Sequence, residues 1–282
     1  MDPAFLNDRA VLAISGPQAR EFLQGLVTND VVGGLAPGNG LYTALLSPQG
    51  KILFDFLVTE GDGALLLDVA KEAADALVKK LKMYKLRAKV DLERREQLGV
   101  YVNLAGHPDN RPTLYADRAV SFTDPRLAAL GTRSIGAHAE MPANLAGPRA
   151  YHEQRLALGV PEGSDFGFEK IFALDAGLDE LNGVSFTKGC YVGQELTSRM
   201  KHRATSRKRI LSITADEPLP APGAPVTRGG AEIGELVSVH DGHGFALVRL
   251  DRLEETSGEV KIGEIQVALK KPAWLAGAPG SA

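Results

Sequence analysis

The sequence predicts an α+β protein of more than one domain, and three observations carry that reading. Strand-like and helix-like segments follow one another in the first 100 residues as strand, helix, strands, helix, strands. That is the order of an α+β layer structure and not of a doubly wound parallel sheet. The last third changes to short strand-like runs broken by Pro- and Gly-rich segments, the pattern of a small barrel or sandwich. The length, 282 residues, also exceeds the ~100–200 residues of an ordinary domain.

Residues 10–15 (AVLAIS) read as a strand, and Gly16-Pro17 turns the chain into a helix reaching Val27, with Ala19, Phe22, Leu23 and Leu26 on one face. LYTALLS and KILFDFLVTE are strands joined by the turn Pro48-Gln49-Gly50, and ALLLDVA is the third strand of the same meander. KEAADALVKKLKMYKL is the clearest helix, with Ala73, Leu77, Leu81 and Tyr84 on one stripe and lysines opposite. KVDLERRE, QLGVYVNL, AVSFTD and GTRSIGA follow as strands, and GPRAYHEQRLALGVP as a helix with Pro148 in its first turn. A loop-rich stretch runs from Pro161 to Lys188. RILSITA, EIGELVSV, HGFALVRL and EVKIGEIQVALK then read as strands separated by PLPAPGAP and RGG. The expected divisions are 1–100, 101–205, 206–275 and a disordered tail at 276–282.

Composition is that of a soluble globular chain, 44% hydrophobic and 24% charged, with net charge −3. Such a balance gives no global attraction to nucleic acid or to an anionic membrane. The single cysteine cannot form an internal disulfide, the N-terminus lacks a secretory signal pattern, and no apolar run reaches the ~20 residues of a span. The expectation is a cytoplasmic monomer. Gly50-Lys51 is followed by Ile52, so there is no phosphate-binding P-loop, and Gly38-Asn39-Gly40 does not continue as a dinucleotide fingerprint. His240 and His243 are the only neighbouring histidines, and with no third ligand in view no intrinsic metal is expected.

The lone thiol is placed in KGCYVGQE, residues 188–195, ahead of a short helix. Free backbone N–H groups at a helix start, and the Lys188 cation two residues away, are features that favour a thiolate. Gly189 and Gly193 allow close approach of backbone or ligand. The alternative is a buried cysteine serving as a small hydrophobe. Downstream, Arg199, Lys201, Arg203, Arg207, Lys208 and Arg209 put six cations in eleven residues, a local anion-attracting stripe. It also reads as a solvated linker, with Glu195 and Arg199 as a helix pair. Direct nucleic-acid binding is disfavoured because the stripe lacks aromatics for base stacking.

FLQGLVTNDV, GKILFDFLV and above all KGCYVGQELTSRMKHR together resemble the YgfZ family of folate-binding proteins, relatives of the T-protein (aminomethyltransferase) of the glycine cleavage system. The resemblance implies a multi-domain α+β ring around a central folate cavity, with a C-terminal β-barrel. It implies a cofactor, tetrahydrofolate or a related folate. It also implies partners among iron–sulfur proteins or cluster-assembly factors, including enzymes of tRNA modification. Carried over residue by residue, it makes Cys190 a functional thiol at the cavity rim. Lys188, Gly189, Tyr191, Gly193, Gln194 and Glu195 become cofactor-binding positions, and the cations Arg199, Lys201 and Arg203 offer to meet the glutamate tail of a folate. Gln24, Thr28, Asn29 and Asp30 match the family's N-terminal pattern and read equally as polar caps of a helix end.

Two departures bear on activity. Where the T-protein strand carries two successive acids, this sequence has Phe54 and Asp55, and where the T-protein has Arg-Leu-Glu it has Arg155-Leu156-Ala157. Aminomethyl transfer needs carboxylates to manage the proton and the iminium charge. The preferred expectation is therefore a folate-binding accessory factor in iron–sulfur cluster assembly or repair. A tetrahydrofolate-dependent one-carbon transferase, with Asp55 and Cys190 sharing the catalytic work, is the first alternative, and a nucleic-acid-binding adaptor the second.

Overall fold

The structure is a computed structural model and describes residues 3–104, 119–140, 145–203 and 207–277. The chain divides into two compact units, residues 1–46, 53–154 and 181–192 in one, and 47–52, 155–180 and 193–282 in the other. Both are discontinuous in sequence.

The first unit contains β1 (Ala4–Phe5), β2 (Arg9–Ser15), α1 (Ala19–Gln24), α2 (Val31–Gly34), β3 (Leu41–Leu46), β4 (Ile52–Gly61), β5 (Ala64–Ala70), α3 (Ala74–Lys85), β6 (Asp91–Arg94), β7 (Leu98–Asn103), β8 (Val120–Thr123) and β9 (Thr132–Ala137). Two sheets form, one ordered β3-β4-β5-β2-β6 and the other β1-β7-β9-β8. The meander read from the sequence is β3-β4-β5, with β2 antiparallel beside β5. Strand alternation sends Leu12, Ile14, Phe54, Phe56, Val58, Leu65 and Leu67 to one face. There they pack with Leu23 and Leu26 around α1 and with Ala74, Leu77 and Leu81 of α3. Each such large apolar side chain contributes ~1.5–3 kcal/mol by leaving water.

Two local expectations change. The first helix stops at Gln24 instead of reaching Val27, because the Gln24 side chain turns to accept the N–H of Val31 at 2.7 Å and so starts α2 instead. Asp30 caps that short helix by accepting the N–H of Gly33 at 2.9 Å. The third helix begins at Ala74 after a 3₁₀ turn, Lys71–Ala73.

The sheet face opposite the α1–α3 core holds buried charge. Arg133 on β9 forks between Asp68 of β5, Asp124 (2.9 Å) and the Tyr151 hydroxyl. Arg126 pairs with Asp124 at 2.7 Å and donates to the same hydroxyl at 2.8 Å, and Arg9 pairs with Asp68 at 2.6 Å. Burial alone would lower the Arg133 pKa, but Tyr151, Asp68 and Asp124 outweigh it and hold the guanidinium protonated. Arg126 and Arg133 likewise hold Asp124 below the usual carboxylate range against its burial.

In the second unit, α4 (Arg149–Leu158, begun in the first unit) leads through loops to α5 (Gln194–Arg203). Then come β10 (Lys208–Thr214), β11 (Pro225–Arg228), β12 (Ala231–His240), β13 (His243–Arg249), α6 (Leu250–Glu255), β14 (Val260–Ile262), β15 (Ile265–Gln266) and β16 (Ala268–Lys270). The strands form one sheet, β15-β14-β11-β12-β13-β10-β16, curled into a nearly closed barrel around Leu211, Ile213, Val226, Ile233, Leu236, Ala246, Val248 and Ile262. A register shift between Leu236 and Ser238 bends β12. Pro225, which reads as part of a strand-breaking segment, opens β11, a first-residue position that proline tolerates. His240 and His243 face each other across the β12–β13 turn, and His240 is held by the buried Asp165 at 2.6 Å. Among the described residues no group of three or more His, Cys, Asp or Glu side chains could hold a metal ion. Most of the expected tail, 278–282, lies outside the described residues.

Candidate functional site

The Cys190 loop is built by alternation of inward and outward side chains. Phe186, Thr187, Gly189 and Cys190 are exposed, whereas Lys188 and Tyr191 are buried. Cys190 is therefore a surface thiol and not a core hydrophobe. Lys188 does the anchoring. Its Nζ donates to three backbone carbonyls, those of Gln24 (2.6 Å), Val27 (2.6 Å) and Asn29 (2.9 Å), and lies 5.1 Å from the Tyr191 ring centre. Three ammonium protons meet three acceptors, which fixes the loop to the polar end of α1. Burial pushes the Lys188 pKa down to about 8, against the nearby Asp30 charge.

This placement corrects the role expected of Lys188. It is committed to carbonyls beneath the loop, so it is a positioning residue for the loop and not a cation offered to the thiol or to a ligand. Gly193 has φ +83, a backbone conformation that suits glycine, whereas a Cβ at Gly189 would meet nothing within 4 Å. The helix starts at Gln194, four residues past the thiol.

The N-terminal motif spends its polar groups on the same support. Asn29 Nδ2 donates to the carbonyls of Tyr42 (2.8 Å) and Asn182 (2.7 Å), and Thr28 donates to Gly183 at 2.6 Å. Tyr42 in turn donates from its hydroxyl to Asp55 Oδ2 at 3.2 Å. The Cys190 loop and Asp55 are thus joined through Lys188, Asn29 and Tyr42. Asp55 is buried on the face of β4 opposite Phe54, and the Arg126 guanidinium sits 5.5 Å over the Tyr42 ring. An acid at position 54 would enter the α1–α3 core, so the Phe–Asp pair presents one carboxylate and not two. Ala157 is an exposed residue of α4, and its neighbour Arg155 is buried in pairs with Asp165 (2.7 Å) and Glu162 (3.6 Å).

In the second unit, α5 carries Gln194, Glu195, Arg199 and Lys201, with Glu195 and Arg199 exposed. The Arg203 side chain lies outside the described set. The basic stripe is partly neutralised: Lys201 pairs with Asp179 at 2.8 Å, Arg209 with Glu180 at 3.3 Å and Arg207 with Asp251 at 3.8 Å. No signal in the cations themselves revealed this; the acids stand in Asp179-Glu180, inside the stretch read as loop.

Asp179 and Glu180 share a hydrogen bond, and their oxygens Asp179 Oδ1 and Glu180 Oε2 are among the buried side-chain oxygens of the described residues that have no further partner. Burial and the Asp179 carboxyl push Glu180 up to about 7. Unfolded glutamate titrates near ~4.3, so the native state keeps a proton that the unfolded chain loses. Stability from that proton is present below ~4.3 and is lost as pH rises through about 7. Glu180→Gln, which supplies a permanent N–H to Asp179, is expected to melt above the parent at pH 8 and with it at pH 5. Thermal melts followed by the single tryptophan, Trp274 in the same unit, make the check. Equal melting at both pH values would refute the shared proton.

Residues 207–277 match the family described as CAF17, C-terminal beta-barrel domain. The aminomethyltransferase T of the glycine cleavage system from Bartonella henselae superposes with a TM-score of 0.73 at 17% identity, covering 96% of this chain and 85% of that one. That likeness establishes the fold. The mitochondrial iron-sulfur cluster assembly factor IBA57 of Mus musculus is 35% identical over 278 residues, 88% of this chain and 78% of its own length. The Homo sapiens IBA57 is 32% identical over 303 residues, covering 95% and 84%.

The chain belongs to the IBA57 family.

The sequence resemblance points to the related YgfZ family; the family shown is IBA57, on the T-protein fold with a CAF17-type barrel at residues 207–277. The cytoplasmic expectation is overturned, because these IBA57 relatives are mitochondrial proteins. Its grounds, a lone cysteine and no secretory pattern, separate a reducing compartment from the secretory route; they do not separate one reducing compartment from another.

Proposed function

We propose that this IBA57-family protein is a folate-binding accessory factor in iron–sulfur cluster assembly, acting on partner assembly proteins through Cys190. The carrying observation is the exposed thiol on a loop pinned by Lys188 to three carbonyls. A thiolate is the ordinary protein ligand of cluster iron, and a cluster takes about four ligands. One thiol supplies one of them, so the remaining ligands come from the partner that carries the cluster, and the cluster is cargo. Phe186, exposed four residues before the thiol, adds an apolar group on the same loop for that partner.

Folate binding rests on the fold and on Asp55. A pterin presents N–H donors that a carboxylate accepts, and we assign that part to Asp55 of β4, which the Tyr42 hydroxyl orients. When bound, a folate supplies a one-carbon carrier; the chain's own part is to accept those N–H groups and to exclude water from them. Aminomethyl transfer is the weaker reading, since Phe54 lies in the core and Ala157 carries no acid.

Anaerobic calorimetry with tetrahydrofolate, on the parent and on Asp55→Asn, tests the folate half. Saturable binding at one site is expected, with Asp55→Asn weaker by about tenfold or more, in line with the ~1.5–3 kcal/mol of a charged hydrogen bond. No saturable binding to the parent would remove folate from the function and leave the thiol.

A further inference from the structure

The end of α3 carries features that the fold does not require. Residues 79–89 hold six cations (Lys79, Lys80, Lys82, Lys85, Arg87 and Lys89) and no acid, in a chain of net charge −3. Within this run Met83 is 64% exposed and Leu86 is 89% exposed. Leu86 also has φ 42 and ψ −105. These are the angles of the first central residue of a type II′ turn, a position that glycine fills without strain. The Ala88 N–H donates to the Lys85 carbonyl at 2.7 Å and closes that turn. Leucine here is strained by its backbone and exposes its whole side chain, so the packing of this unit gains nothing from it. Beside Met83 a shallow groove of about 510 Å³ runs along the helix, lined by Asp75, Val78, Lys79, Lys82 and Met83.

We infer that the C-terminal end of α3 is a docking surface for an acidic amphipathic helix of a partner protein, with Leu86 and Met83 as the apolar contacts and the surrounding lysines as the rim. Charge complementarity selects the acidic partner: the six cations outnumber the acids of this surface, Asp75 in the groove and Asp91 at 3.6 Å from Lys85, in a chain whose overall charge is negative. Met83 and Leu86 offer two exposed contacts to the apolar face of such a helix, and the cations around them meet its acids. A lipid surface fits less well. An interfacial helix needs a broad apolar face, and that of α3, Ala74, Leu77 and Leu81, is already packed in the core. The surface is separate in sequence from the Cys190 loop, so it holds whether or not the thiol reading does.

The test uses the full chain, a fluorescent synthetic helix with a leucine stripe flanked by glutamates, the same peptide scrambled, and vesicles of phosphatidylcholine with cardiolipin. Expected are saturable binding of the helix that weakens as salt is raised, and little binding of the scrambled peptide or the vesicles. Leu86→Gly should lower the affinity about tenfold or more, as for a central apolar contact, while melting at or above the parent because glycine relieves the turn. Lys79→Glu/Lys82→Glu should lose affinity together with the salt dependence. The inference is overturned by a parent chain that does not bind, by equal binding of the scrambled peptide, by unchanged affinity in Leu86→Gly, or by vesicle binding through these residues.

Discussion

Arg133→Met is expected to lower the stability of the first unit by ~3–5 kcal/mol, the usual result of removing one partner from a buried charge network. The melting temperature should fall by about 10 °C. Arg133 is fully buried, and its guanidinium is the fork on which Asp68, Asp124 and Tyr151 converge from β5, from the segment after β8 and from α4. Methionine fills much of the volume but leaves Asp68 with Arg9 alone and Asp124 with Arg126 alone among these arginines. Each acid then holds its charge in a dry site with half its compensation. Arg133→Lys should fall in between, since an ammonium keeps the charge but cannot reach planar acceptors on several sides at once. Circular dichroism melts of the three proteins decide the matter. An Arg133→Met protein within about 1 kcal/mol of the parent, inside the ordinary range for unremarkable substitutions, would show that the network is a passenger of the fold.

The network also marks where reading from sequence stopped. GTRSIGA and ALLLDVA were legible as strands from their apolar, β-branched character, and both proved to be strands. Each carries one lone charge, of opposite sign. A single Arg and a single Asp in otherwise uncharged strands are a signal that two buried groups need each other, but the pairing, 65 residues apart, follows from tertiary packing alone. The barrel strands were legible for the same reason as the meander, by short apolar runs between turn residues. Leu250–Glu255 was not, since LDRLEE is a helix too short to show a period. Around Cys190 the motif was legible but its mechanics were not. Sequence spacing places Lys188 near the thiol; only the fold shows its ammonium turned inward to the carbonyls of Gln24, Val27 and Asn29. The acids that neutralise Lys201 and Arg209 sit 22 and 29 residues upstream, beyond the reach of any local pattern.

Cys190→Ser is expected to abolish function in cells while leaving the protein itself unchanged. The side chain is exposed, so its replacement should alter stability by no more than ~0.5 kcal/mol. The loop that presents it should also survive, because its anchors, Lys188 and Tyr191, are untouched and point the other way. Folate affinity should stay within error of the parent, since Asp55 communicates with the loop through Tyr42, Asn29 and Lys188 and not through the sulfur. What serine removes is one thing, a thiolate able to ligate iron. The variant should therefore express, fold and bind folate like the parent. In cells lacking their own IBA57-family protein it should restore little of the activity of cluster-bearing enzymes that the parent restores in full. A Cys190→Ser protein that restores full activity would remove the thiol from the mechanism and shift the function to the folate site. A variant that fails to fold would instead make Cys190 a structural residue despite its exposure. Loss of activity with intact folding and intact folate binding separates the thiol from both, and assigns the sulfur to the cargo.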